Sequence, residues 1–188
     1  MVSSFEYTLI YTLLVMTGLT ALLLGWTRYT RHAFKKYAEN VLKLDDLLDL
    51  AFATKYYNRL AVIRVENNGG IPRLGHSVYF TVIAERYDNY QAWRHHLTKW
   101  KIDYTAAKVI SASYLVESTP IMLLESMDGL LRTLVESDKS SALGSSIVFQ
   151  SKKELYLLVA TYDIESGSKP YADFELQAMR IKQLFLNR

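Results

Sequence analysis

The feature that most constrains this 188-residue chain is a run at positions 7–27 that contains no charged residue. As a helix it would be about 30 Å long, the thickness of a bilayer's hydrocarbon core. The run carries Leu9, Ile10, Leu13, Leu14, Val15, Met16, Leu19, Leu22, Leu23 and Leu24. Tyr7, Tyr11 and Trp26 stand near its ends, where amphipathic rings favour the headgroup level. Such a run predicts one membrane span rather than the core helix of a water-soluble fold. A cleaved signal peptide would need a positive start, a shorter apolar stretch and a small-residue cleavage site, and the sequence offers none of these.

Charge sets the expected orientation. All 22 Lys and Arg residues lie at or after position 28, and of the 19 Asp and Glu residues only Glu6 precedes it. Arg28, Arg31, Lys35 and Lys36 follow the run closely, and such flanks stay on the cytoplasmic side. The expected topology is single-pass, with the N-terminus outside and the soluble domain cytoplasmic. These four cations also suit contact with anionic lipid, worth about 1 kcal/mol each near the surface. The remaining domain is near neutral, so no basic face calls for nucleic acid. Within the run, Thr17, Ala21 and Gly25 recur every fourth residue, and small side chains on one face let a second helix approach. The partners expected are therefore the lipid bilayer and other protein, in a homo-oligomer or as a subunit of a membrane complex. The chain has no cysteine, which excludes disulfides, thiolate nucleophiles, Cys-ligated zinc, iron–sulfur clusters and thioether-linked chromophores.

From Phe34 the apolar positions are Phe34, Tyr37, Val41, Leu44, Leu48 and Ala51, the alternating three-and-four spacing of a coiled-coil seam. This predicts a helical stalk. Asp45, Asp46 and Asp49 lie off the seam, while Leu47, Leu50 and Phe52 broaden it. The stalk either pairs with a second copy or packs on its own domain, and the two are compatible if the upper end pairs and the lower end docks.

Beyond the stalk the period becomes strand-like. Residues 59–66 (RLAVIRVE) and 76–85 (HSVYFTVIAE) predict two antiparallel strands joined by the turn-rich segment from Asn67 to Gly75. Residues 89–101 are helix-permissive, and 107–116 (AKVISASYLV) predict a third strand. Ser118, Thr119 and Pro120 predict a helix start, continuing through Leu123, Met127, Leu130, Leu131 and Leu134. Residues 145–150 and 154–162 form the clearest hairpin, and a last helix over 171–186 would bury Phe174, Met179, Ile181 and Phe185.

The predicted order is helix, strand, strand, helix, strand, helix, strand, strand, helix. It resembles the GAF and PAS group of sensory domains, in which a central antiparallel sheet packs against helices and the terminal helices can pair between subunits. The resemblance covers positions 36–188. It implies an α+β fold in which a transmembrane helix and stalk precede a sheet of about five strands flanked by helices. The expected domains are an anchor at 1–27, a basic juxtamembrane region and stalk at 28–57, and a GAF/PAS-like domain at 58–188. The cyclic-nucleotide signature of that group is not discernible here, and the absent cysteine excludes a covalently bound bilin. The chain also resembles T-even-type phage holins in having a short tail, one span, a stalk and a small domain ending in a helix such as residues 175–188 (ELQAMRIKQLFLNR). That resemblance would place the domain outside the cytoplasm, against the charge argument.

Candidate chemistry is sparse. His95 and His96 are adjacent, about 100° apart on a helix, and lack the four-residue spacing of a shared metal site. His32 and His76 fit surface or structural roles. Asn67, Asn68, Gly69, Gly70 and Arg73 could offer backbone amides and a cation to an anion, yet the Gly-Lys-Ser/Thr ending of a phosphate-binding loop is absent. The high aromatic content, with 14 Tyr, suggests a partner surface on Tyr87, Tyr90, Trp93 and Trp100. No catalytic constellation, cofactor motif or metal motif is evident. The sequence therefore predicts a membrane-tethered, non-enzymatic regulatory or assembly module, with a membrane-permeabilising lysis protein as the alternative.

Overall fold

The structure is a computed structural model and describes residues 4–66, 77–88, 91–97, 99–102, 104–115, 121–151, 154–164 and 169–186. Side chains at 4–6, 8–10, 104–105, 112, 114–115 and 169 lie outside this description. The chain divides into two units, Met1–Leu42 and Lys43–Arg188.

One helix, α1 (Ser4–Phe52), accounts for the described part of the first unit and enters the second. In the first unit the described side chains from Tyr11 to Tyr37 are all exposed, Leu22 at 73%. Its hydroxyls turn inward on their own helix. Thr17 donates to the carbonyls of Leu13 and Leu14 at 2.9 Å, and Thr30 to that of Trp26 at 3.0 Å. This bonding satisfies those hydroxyls within the helix itself. Among the described residues no helix is long and apolar enough to cross a membrane. Leu9 and Ile10, which belong to the expected span, lie outside the described side chains.

The second unit is α+β with a six-stranded sheet in the order β3-β2-β1-β6-β5-β4. The strands are β1 (Arg59–Glu66), β2 (Tyr79–Tyr87), β3 (Trp100–Lys101), β4 (Ile121–Leu123), β5 (Ala142–Gln150) and β6 (Leu155–Tyr162). All five pairings are antiparallel, and β1 and β6 form the centre. Both central strands are buried nearly throughout because both of their faces are covered.

One face carries the end of α1 and the C-terminal helix α4 (Lys169–Leu186), with Leu44, Leu48, Ala51, Leu60, Val62, Leu158, Phe174, Ile181 and Phe185 buried together. The opposite face carries α2 (Tyr104–Leu115), α3 (Gly129–Ser137) and a 3₁₀ turn at Trp93–His95. There Ile63, Val65, Trp93, Leu97, Val109, Leu131, Leu134, Leu157 and Val159 form a second core.

The fold corrects several expectations. The segment at 107–116 lies largely in helix α2, since Ala106, Val109 and Ser113 recur at helical spacing and form its buried side. Among the described residues of 89–101 there are one 3₁₀ turn and the short β3 rather than a helix. The helix expected after Pro120 begins only at Gly129, behind Asp128, and Ile121–Leu123 is an edge strand instead. The sheet thus has six strands where about five were expected. On α4, Met179 is 61% exposed, and Ala178 takes the buried position because the stripe runs 174, 178, 181, 185.

Candidate functional site

The strand β1 opens with Arg59, and the period of two puts that residue on the same face as Ala61, Ile63 and Val65. A guanidinium is thereby carried into the second core, where its exposure is 0%. A buried charge survives only when it is paired and hydrogen-bonded, and the surrounding elements supply those partners. Arg59 Nε and Nη2 each donate to Asp138 at 2.8 Å, in the bidentate geometry suited to a carboxylate. Nη1 donates to Glu85 Oε2 at 2.7 Å and Nη2 to the Gln91 carbonyl at 2.6 Å. The rings of Tyr87 and Trp93 stack over the guanidinium, with centroids 4.6 and 4.9 Å away.

Local chain geometry explains the placement of both acids. Lys139, at φ 52°, ends α3 with its amide bonded to the Glu136 carbonyl, and this left-handed residue aims the preceding Asp138 at the sheet. Thr161 on β6 donates to Asp138 Oδ2 at 3.0 Å. Glu85, on β2, accepts the amides of Trp93 at 3.0 Å and Arg94 at 3.3 Å, while Arg94 Nε lies 3.6 Å from Oε1. With every carboxylate oxygen engaged, this cluster acts as a fastener joining β1, β2, α3, β6 and the 3₁₀ turn.

On the opposite face Arg86, next along β2, lies between two carboxylates of α1. Nε donates to Asp49 and Nη2 to Asp45, and Nη1 reaches the Glu85 carbonyl at 3.1 Å. The hydrogen bond from Arg86 holds the Asp49 carboxyl below its ordinary value, and the two acids raise Arg86 in turn. Nearby, Tyr57 donates to Asp173 Oδ2 at 2.6 Å, tying the chain after α1 to α4; burial first and this bond second push its phenol up. Burial pushes Tyr162 up to about 12. On the second face, Ser113 of α2 and Ser145 of β5 share a 2.5 Å hydrogen bond that docks the helix on the sheet.

The residues expected to act divide clearly. Leu44, Leu48 and Ala51 are buried in the first core, whereas Phe34, Tyr37 and Val41 are exposed. Arg28, Arg31, Lys35 and Lys36 are exposed, as are Thr17, Ala21 and Gly25. In the expected partner surface, Trp93 is 1% exposed and so cannot present its ring to a partner, because its side chain covers Arg59. Trp100 packs on Phe80 and is half-buried, Tyr87 stacks on Arg59, and Tyr90 lies outside the described residues. Asn67, Asn68, Gly69, Gly70, Arg73 and His76 also lie outside them. His32, His95 and His96 are exposed, and among the described residues no His, Cys, Asp or Glu cluster could hold a metal ion. Sequence reasoning missed the Arg59 cluster. Its signal was the alternation itself, which puts Arg59 in register with three residues that must be buried.

No known sequence family matches the chain, and no curated protein matches it either. Solved structures do resemble it. A GAF domain region from Geobacter sulfurreducens, described as part of a membrane protein, superimposes with a TM-score of 0.52 at 11% identity, covering 84% of this chain and 99% of its own. The red/green cyanobacteriochrome NpR6012g4, in its red light-absorbing state, gives 0.52 at 14% identity over 79% of this chain and 93% of its own. The chain therefore has a GAF-like fold.

Proposed function

We propose that this protein is a membrane-tethered, non-enzymatic regulatory or assembly module whose GAF-like domain binds a protein partner or small ligand. The observation that carries the tether is the surface of α1 from Leu13 to Trp26, where large apolar side chains point outward on every side of the helix. So much contiguous apolar surface is costly in water and favourable in lipid. The cations Arg28, Arg31, Lys35 and Lys36 follow at the position of an anionic headgroup layer and favour a cytoplasmic domain. The exposed Phe34, Tyr37 and Val41 are suited to pairing with a second copy, while the buried end of the same seam fastens the domain.

The ligand or partner function rests on the fold and on one of four buried polar atoms that find no partner among the described residues, the others being Arg64 Nε, Thr81 Oγ1 and Tyr162 Oη. The indole Nε1 of Trp93 is buried with no acceptor among the described residues. An unmet buried N–H costs about 1–3 kcal/mol, which an acceptor from a bound molecule would relieve. The cyanobacteriochrome neighbour absorbs red light; this chain, lacking cysteine, would hold any chromophore without a thioether bond.

The tether is tested by expressing the full chain and extracting membranes with alkaline carbonate. The protein should stay with the membrane pellet, and Leu14→Arg with Leu22→Arg should release it. Release of the unaltered protein would overturn the tether. Protease added outside intact cells should spare the domain; digestion there would instead favour the lysis-protein topology.

A further inference from the structure

Two consecutive residues of β2 engage opposite sides of the domain. Strand geometry sends neighbouring side chains to opposite faces, so Glu85 enters the second core while Arg86 faces α1. Glu85 holds the 3₁₀ segment through the amides of Trp93 and Arg94 and holds Arg59 through its other contacts. Arg86 grips the last turns of α1 through Asp45 and Asp49, and it also binds the Glu85 carbonyl.

We propose that the Glu85–Arg86 pair is a lever through the sheet, by which a disturbance of the 3₁₀ segment at Trp93–His95 is passed to the last turns of α1. The segment and the helix do not need to touch, because one rigid piece of strand is bonded to each. A shift in the segment draws on Glu85, moves β2, and changes the geometry of Arg86 against Asp45 and Asp49. Any molecule that settles on the segment would thereby act on the helix that carries the apolar run. The lever does not depend on the identity of that molecule, nor on whether α1 lies in lipid.

The test is hydrogen exchange on the full chain with Arg94→Glu, an exposed substitution that sets a carboxylate against Glu85. Exchange across residues 44–51 should quicken about fivefold, while the α4 amides around Phe174 and Ile181, packed on the same face, change less than twofold. In an Arg86→Gln background the same substitution should add no further change at 44–51. The milder Arg94→Gln should give the same pattern at smaller size. The lever is overturned if residues 44–51 are unaffected, if α4 quickens equally, or if the Arg94 and Arg86 effects simply add.

Discussion

The two units invert the usual distribution of polarity. In the domain a full charge, Arg59, is wholly buried, while in the leading helix Leu22 and its neighbours are open on all sides. Each is stable only with the right surroundings. Arg59 finds them within the chain, in two carboxylates, a carbonyl and two aromatic rings. The leucines of α1 from Leu13 to Leu24 are exposed among the described residues, and under the proposed tether lipid would cover them. Burial of Arg59 is explained by partners inside the domain, whereas exposure of the α1 leucines is explained only under the proposed tether.

The sharpest way to break the domain half of this comparison is to remove the buried cation from its acids. Arg59→Ala leaves the Asp138 carboxylate buried with only the Thr161 hydroxyl and Glu85 with two amides and Arg94, and should cost about 3–5 kcal/mol, read from the urea midpoint of the domain's near-ultraviolet signal. A cost under about 1 kcal/mol would show that water already reaches the cluster. An equal chemical deletion in each unit sharpens the contrast. Leu48→Ala should cost about 2–5 kcal/mol of domain stability, whereas Leu22→Ala should leave the same transition in place. The Arg86 clasp is smaller, since its two acids are more than half exposed; Arg86→Ala should cost no more than about 1 kcal/mol and lose that cost in high salt. Smallest of all is its response to acid. Asp49 is held below its ordinary value, so its contribution is complete above that value and is lost as pH falls through the depressed one. Carbon NMR of the Asp49 carboxyl should show the depressed midpoint, and Arg86→Ala should return it to the ordinary range.

Much of the fold is legible where pattern and burial agree. The β5–β6 hairpin announces itself by apolar strands around Ser151, and α4 by an apolar stripe of helical period. The same logic fails where tertiary packing decides. Helix α2 contains Val109, Ile110 and two serines, Ser111 and Ser113, a mixture that favours no period strongly, and it is helical because Ala106, Val109 and Ser113 meet the sheet. The turn at Trp93–His95 is short for a similar reason. Trp93 and Leu97 are drawn into the core, Glu85 caps the first amides, those of Trp93 and Arg94, and beyond the turn Lys99 takes a left-handed φ of 52° that no helix continues. The stalk seam was legible as a seam whose lower end could dock, as Leu44, Leu48 and Ala51 do, but the point at which burial begins was not, because a spacing records apolar positions and not what covers them. The Arg59 cluster joins residues up to 79 positions apart, and no local pattern carries such a pairing.

The central claim, that lipid covers the apolar run of α1, is tested most directly by using the absence of native cysteine. Single variants Leu22→Cys and Met179→Cys, each in the full chain reconstituted into anionic vesicles, are exposed to a membrane-impermeant maleimide. Met179→Cys, on the open side of α4, should label at once when its domain faces the reagent. Leu22→Cys should stay unlabelled until detergent dissolves the bilayer. Equal and rapid labelling of both in sealed vesicles would contradict the account.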